Sequence, residues 1–257
     1  MLRCPVCKEA LIHSDKKFVC MNHHSFDQAK QGYVNLSLKQ KKNQGDNKQM
    51  VKARTEFLEK NYYNFMRQKV VEILKEKNVD TLVDMGCGQG YYTSAFQSVC
   101  KEVYGFDLSK EALAYAARQN KEIQYAVASI FDLPIDNEQA DVVTSLFVPD
   151  ADSEVLRILK QNGLWITVGP GKKHCWELKE LLYEHVLENP EANKEKDGFI
   201  LESQETLRNV ETVNDVWSLL EMTPYRYKSP KEGLDQAKAC VSLDVTFEFV
   251  ISCWRKK

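Results

Sequence analysis

The segment Thr81-Leu82-Val83-Asp84-Met85-Gly86-Cys87-Gly88-Gln89-Gly90 constrains this chain more than any other. An apolar run leads through an acid into three glycines at alternate positions, which reads as a buried strand breaking into a tight turn and then a helix. Glycine is needed where the backbone takes positive φ, or where a ligand lies against the main chain with no Cβ in the way; Gly86, Gly88 and Gly90 meet that need. The spacing is G-x-G-x-G, not the G-x-G-x-x-G that seats a pyrophosphate on a helix N-terminus. A cofactor with a cationic centre and an amino-acid tail, such as S-adenosyl-L-methionine, has no pyrophosphate, and Asp84 is placed to answer its amino group.

A second strand, Glu102–Asp107, ends in an acid suited to grip a ribose diol, so Asp107 is the expected ribose ligand. Residues 126–134 follow a third strand, where an adenine would rest. A fourth strand, residues 141–147, ends at Val148-Pro149-Asp150, the expected meeting point of methyl acceptor and cofactor. Strands continue through residues 163–169, a helix is expected from about His174 to Leu187, and residues 241–251 alternate at period two as a last strand that could pair antiparallel. Two amphipathic helices are expected between Met50 and Lys77. This pattern predicts a doubly wound α/β sheet. Residues 189–198 form a polar insertion, expected as a surface loop rather than a lid.

The start of the chain carries different chemistry. Cys4-Pro5-Val6-Cys7 is a Cys-x-x-Cys turn, followed by Cys20 and by His23 and His24. Two thiolates on such a turn and a second pair brought round by a short hairpin close a tetrahedral zinc site. Spacing leaves His23 and His24 as alternatives for the fourth ligand. A site closed by four protein ligands holds shape and has no open position for an activated water.

Charge is divided unevenly. Residues 1–54 hold 11 basic and 4 acidic side chains, against 24 and 33 in the rest, within a chain whose net charge is -2. Lys8, Lys16, Lys17, Lys30 and the polar stretch Lys39–Lys48 suggest an anionic partner at this end. At 43% hydrophobic over 257 residues the chain can bury a full core, which excludes disorder. No apolar run approaches the roughly 20 residues that span a bilayer and the start lacks the apolar run of a signal peptide, so no membrane partner and a cytoplasmic location are expected.

With these motifs in order the chain resembles the RlmA-type 23S rRNA (guanine-N(1)-)methyltransferases, which carry an N-terminal zinc ribbon ahead of a class I methyltransferase domain. The likeness runs nearly end to end: Cys4-Pro5-x-Cys7, Cys20-x-x-x-His24-x-Phe26-Asp27-x-Ala29-Lys30-x-Gly32-Tyr33, Arg54-x-x-Phe57-Leu58, Asp84-x-Gly86-Cys87-Gly88-x-Gly90-Tyr91-Tyr92-Thr93, Gly169-Pro170-Gly171-x-x-His174 and Met222-Thr223-Pro224. The resemblance implies zinc on Cys4, Cys7, Cys20 and His24, cofactor contacts at Tyr63, Gly88, Gln89 and His174, a 23S rRNA hairpin in domain II as substrate, and a possible homodimer. Many relatives have a glutamate where this chain has Gln89. The implied organisation is a zinc ribbon for RNA recognition over residues 1–38, a basic linker and helices over 39–78, and the methyltransferase domain over 79–257.

Methylating guanine N1 requires alignment with the sulfonium and loss of the ring proton. Asp132, Asp150 and Glu177 are the acids within reach of consideration, but no motif makes one of them a catalytic base. Phe147 or Trp176 offers a stacking surface for the exposed base. Two rival functions use part of the same equipment: a small-molecule, quinone-type methyltransferase, and a zinc-dependent RNA-binding protein without catalysis.

Overall fold

The computed structural model describes residues 2–38 and 45–257. Most of the lysine-rich stretch 39–48 therefore lies outside the described residues. Three short antiparallel strands, β1 (Ile12–Ser14), β2 (Lys17–Val19) and β3 (Ser25–Asp27), make the N-terminal ribbon. The next strand, β4 (Val34–Asn35), leaves it. Helices α1 (Lys48–Glu59) and α2 (Asn64–Lys77) lead into β5 (Thr81–Met85), the short helix α3 (Thr93–Phe96), β6 (Glu102–Asp107), α4 (Lys110–Gln119), β7 (Gln124–Val127) and β8 (Ala140–Leu146). The chain continues through α5 (Asp152–Ile158), β9 (Leu159–Pro170), α6 (Trp176–Leu182), β10 (Phe199–Val213), α7 (Val216–Glu221), α8 (Lys231–Ala239) and β11 (Leu243–Lys256).

One sheet of eight strands runs in the order β10-β11-β9-β8-β5-β6-β7-β4. Strands β4 to β9 pair in parallel, and β10 and β11 form an antiparallel edge. From β5 the chain winds outward to β6 and β7, then crosses to β8 on the other side. The order reverses between β5 and β8, so the crevice at their carboxyl ends is where such a sheet binds ligands. The helix expected over 174–187 is shorter, because Cys175 takes a left-handed conformation at its start and Tyr183 is extended at its end. The strand β10 carries no alternating apolar signal. It is an edge strand on which Glu202, Glu205 and Arg208 stand exposed, charges that disfavour pairing of the edge with other chains.

The two faces of the sheet are covered by different means. Met66, Val70 and Leu74 of α2, Leu113 and Ala116 of α4, and Leu178 and Leu182 of α6 pack on one face. On the other, α5 supplies Val155 and Ile158, and the ribbon and its exit strand supply Leu2, Phe18, Val34 and Leu36. Val34 pairs with Ala126 and Asn35 with Val127, so the chain leaving the ribbon becomes the outermost strand of the main sheet. The ribbon does the covering that a helix between β7 and β8 would otherwise do.

The segment between α6 and β10 has no regular structure, yet it is tied down at both ends. Asn189 donates to the Gly171 carbonyl (2.7 Å) and accepts from Lys179 Nζ (2.8 Å). Lys196 Nζ pairs with Asp150 (2.5 Å) and Asp152 (3.1 Å) and lies 4.4 Å from the Trp165 ring centroid, with only 4% of its side chain exposed. The insertion therefore bridges the loops after β8 and β9. Lys196→Ala should lower stability by about 2 kcal/mol in urea denaturation, between the values of exposed and fully buried ion pairs, and Lys196→Arg should recover most of the loss.

Candidate functional site

At the ribbon tip, Cys4 Sγ lies 3.6 Å from His24 Nδ1, Cys7 Sγ 3.6 Å from Cys20 Sγ, and Cys20 Sγ 3.4 Å from His24 Nδ1. All four ligand atoms fall within 4.8 Å of one another. The local backbone explains the convergence. Lys8, at φ 62, turns the chain so that its N–H donates to the Cys4 carbonyl (2.8 Å). His23, at φ 61, does the same between β2 and β3, its N–H donating to the Cys20 carbonyl (2.9 Å). That turn carries the His23 ring outward to solvent and brings His24 in. The Glu9 backbone N–H is the largest of several contacts that hold the Cys7 thiol down at about 6, in the thiolate range at neutral pH. Three thiols and an imidazole in this arrangement fit one structural zinc ion.

The glycine turn follows β5 at the switch point. Gly86, Gly88 and Gly90 all take positive φ, at 75°, 54° and 83°. A Cβ at Gly86 would strike Val148, and one at Gly90 would strike the Tyr125 hydroxyl, so both glycines let neighbours in the protein approach. Nothing stands within 4 Å of a Cβ at Gly88, which leaves an open cradle over the turn. Next to it the Gln89 side-chain amide nitrogen is buried without a protein partner. An orphaned buried donor beside an open glycine cradle fits a bound polar ligand.

The two acids have distinct surroundings. Asp84 is 2% exposed, and both its oxygens accept hydroxyl protons, from Thr93 (2.6 Å) and Thr144 (2.8 Å). Burial raises its carboxyl to about 6. In this structure Asp84 joins β5 to β8 and to the start of α3, with no free oxygen turned to the crevice. Asp107 is half-buried at the end of β6. Its oxygens accept from Gly88 N (3.0 Å) and Ser109 N (2.7 Å), which fixes the carboxylate at the rim of the turn.

Tyr63 and His174 are 111 residues apart in the chain, and the structure brings them together with Tyr63 Oη 3.5 Å from His174 Nε2. The Glu248 backbone N–H donates to His174 Nδ1 (3.3 Å), which assigns the ring proton to Nε2. Burial holds His174 down at about 4 and raises the Tyr63 hydroxyl well above its usual value, so both are neutral at physiological pH. They sit among Phe57, Phe247 and Phe249, with Tyr63 edge-on to Phe249 at 4.7 Å. Phe147 closes this aromatic wall toward the glycine turn. It lies 5.4 Å from Phe249 and 6.3 Å from both Tyr63 and Tyr92. The residue is 42% exposed and held at φ 59, a conformation that costs a non-glycine residue about 1–2 kcal/mol.

The candidate acids for proton removal are engaged elsewhere. Glu177 accepts from both the backbone and the hydroxyl of Thr246, at 2.7 Å each. Asp150 is paired with Lys196, and Asp132 with Lys8 at 3.5 Å. Trp176 has the Lys173 ammonium 3.5 Å from its ring centroid.

Comparison with known proteins places these features together. A family described as "Methyltransferase domain" matches residues 83–167, and one described as "RlmA, N-terminal" matches residues 2–44. The 23S rRNA (guanine(748)-N(1))-methyltransferase of Streptomyces fradiae is 33% identical, over 70% of this chain and 67% of its own. YxjB of Bacillus subtilis, whose 23S rRNA (guanine-N(1)-)-methyltransferase assignment is itself provisional, is 29% identical over 96% of this chain and 94% of its own. Among solved structures, YcgJ of Bacillus subtilis superposes with a TM-score of 0.52 at 16% identity, covering 76% of this chain and 99% of its own. A methyltransferase-type protein of Bacillus halodurans C-125 gives 0.54 at 19% identity, covering 74% and 98%. These two share the fold.

Two outcomes follow from the geometry. Cys20→Ser should release the zinc, measured by atomic absorption, and lower the melting temperature of the whole chain in one calorimetric transition, because the ribbon shares the sheet's core; a separate small transition would contradict that coupling. For Asp84, a folded-state value near 6 against 3.8 unfolded means that stability is full below 3.8, declines from there as pH rises, and the contribution is lost once pH passes 6. The stability of Asp84→Asn relative to the parent should therefore grow by about 2 kcal/mol between pH 4 and pH 7 in paired melts, and a flat difference would show that burial of the charge costs nothing.

Proposed function

The chain belongs to the RlmA-type 23S rRNA (guanine-N(1)-)methyltransferase family, and from that premise we propose that it methylates N1 of one guanosine in a domain II hairpin of 23S rRNA, from a cytoplasmic location. Its S-adenosyl-L-methionine supplies an electrophilic methyl group on a sulfonium. The cradle over Gly88, the amide of Gln89, the Asp107 carboxylate and the Tyr63–His174 pair are the residues that would hold it. Asp84 acts from beneath, fixing the turn between β5 and β8.

One observation carries the RNA reading: the zinc ribbon packs on the sheet that forms the cofactor crevice, and the strand that leaves the ribbon joins that sheet. Lys8, Lys16, Lys17 and Lys30 are exposed on it. Lys16 and Lys30 line a cleft of about 530 Å³ with Lys121, between the ribbon and the end of α4. Leu2 and Phe18 of the ribbon lie in the core under the main sheet and β4 pairs with β7, so this basic surface is held in place relative to the crevice. A rigid basic surface suits a folded RNA hairpin, whose phosphates position it while one base is presented for reaction. Among the described residues no helix is long and apolar enough to cross a membrane.

In the reaction, the chain's own contribution is alignment. Phe147 is exposed beside the turn and strained, and both features suit a face on which a displaced guanine stacks; Trp176, covered by Lys173, is less free to do so. His174 is a weak base with its Nδ1 lone pair occupied, so it orients Tyr63 and does not remove the N1 proton. Asp150 and Glu177 are held by their partners, and N1 loses its proton to solvent or to a group of the RNA.

The test is transfer of labelled methyl to unmodified 23S rRNA, with the modified nucleotide located by the stop it causes in reverse transcription. A stop at a single domain II guanosine is expected. Cofactor binding without RNA labelling would favour a small-molecule acceptor. Phe147→Ala should reduce kcat at least tenfold while Phe147→Tyr keeps most activity, and equal activity in all three would remove the stacking role.

A further inference from the structure

The crevice floor is acidic. Asp84 lies beneath the turn, Asp107 stands at its rim, and Asp46 comes over from the segment preceding α1. The Ser109 hydroxyl donates to the Asp46 carbonyl (2.6 Å), and a Cβ at Gly45 would lie 2.7 Å from Ser109 N, so residues 45–46 are pressed onto the start of α4 next to Asp107. Asn47 caps α1 by accepting from the N–H groups of Gln49 and Met50, which fixes the first turns of that helix over the same place.

One turn before Phe57 on α1 stands Arg54. Its Nη1 meets Asp46 Oδ2 at 2.5 Å, with 31% of the side chain exposed. Among the described residues Asp46 is the guanidinium's partner, which leaves most of its five N–H donors open. The charge of Arg54 is felt at Tyr63 and Tyr92 on the aromatic wall and at Asp107 on the rim. Arg67, the other nearby guanidinium, is stacked 4.1 Å over Tyr91 and bonded to Asn64.

A cofactor carrying an amino-acid tail brings a carboxylate into a crevice where, among the described residues, Asp107 and Asp46 present negative charge beside the turn. Left unpaired there it would be repelled by Asp107 and Asp46. We propose that Arg54, oriented by Asp46, is the cofactor's carboxylate ligand: the guanidinium holds Asp46 with one arm and receives the carboxylate on its free N–H donors. The bidentate fork and permanent charge of arginine suit this double engagement better than a point ammonium would. The assignment rests on the methyltransferase reading given above.

The experiment compares two ligands by titration calorimetry on the full-length zinc-loaded protein. S-adenosylhomocysteine has the amino-acid tail, and 5′-methylthioadenosine lacks it. In Arg54→Gln the affinity for S-adenosylhomocysteine should fall at least tenfold while that for 5′-methylthioadenosine stays within about twofold, and Arg54→Lys should recover part of the loss. An unchanged affinity for S-adenosylhomocysteine would overturn the assignment, and so would an equal loss for both ligands, which would make Arg54 a general support of the pocket. If the unsubstituted protein bound neither ligand, the methyltransferase reading itself would fail.

Discussion

The Asp84 carboxylate, buried at the end of β5 between the hydroxyls of Thr93 and Thr144, is the interaction on which the arrangement of the crevice depends. It spans the one place in the sheet where strand order reverses, and it joins three elements: the strand that enters the glycine turn, the strand that ends at Phe147, and the helix that follows the turn. A carboxylate raised by burial is costly to keep ionised, and two short hydroxyl bonds offset part of that cost. With the turn held from below, the Gly88 N–H can reach Asp107 and the side of Gly86 can receive Val148.

A second constraint comes from covering the sheet. The chain between β7 and β8 has no helix, so that face would leave Met85, Phe106 and Trp165 in water. The ribbon's Leu2 and Phe18 and the exit residues Val34 and Leu36 cover it. Zinc therefore stabilises more than a small module, because it orders the hairpin that supplies part of the main core. The same packing sets where the basic surface stands relative to the cofactor crevice, which connects folding to substrate placement.

The crevice divides its work between neutral and charged groups. Tyr63, His174, Phe147 and Phe249 form a wall that carries no charge at neutral pH, while Asp107, Asp46 and Arg54 form a charged rim with net negative sign. A sulfonium ligand gains from aromatic faces and carboxylates, and the proposed carboxylate ligand, Arg54, stands on the same rim. Catalysis by positioning is consistent with this layout, since the acids near the acceptor side are paired with Lys196, Lys8 or Thr246.

The sequence by itself determined what depends on nearest neighbours along the chain. The glycine spacing, the acids ending β5 and β6, the Cys-x-x-Cys turn and the apolar periodicity of α1 and α2 are local patterns, and each marks backbone conformation or ligand chemistry within a few residues. The spacing of the zinc ligands left His23 and His24 open for the same reason; the family resemblance pointed to His24, and the left-handed turn at His23, which faces that ring outward, agrees. Only the tertiary structure decided the rest. It placed β4 beside β7, set Tyr63 against His174, brought Arg54 to Asp46 and Lys196 to Asp150, and used β10 as a polar edge without an apolar period. These pairings close long loops, and their energy comes from burial and charge compensation that no stretch of sequence displays until the chain is packed.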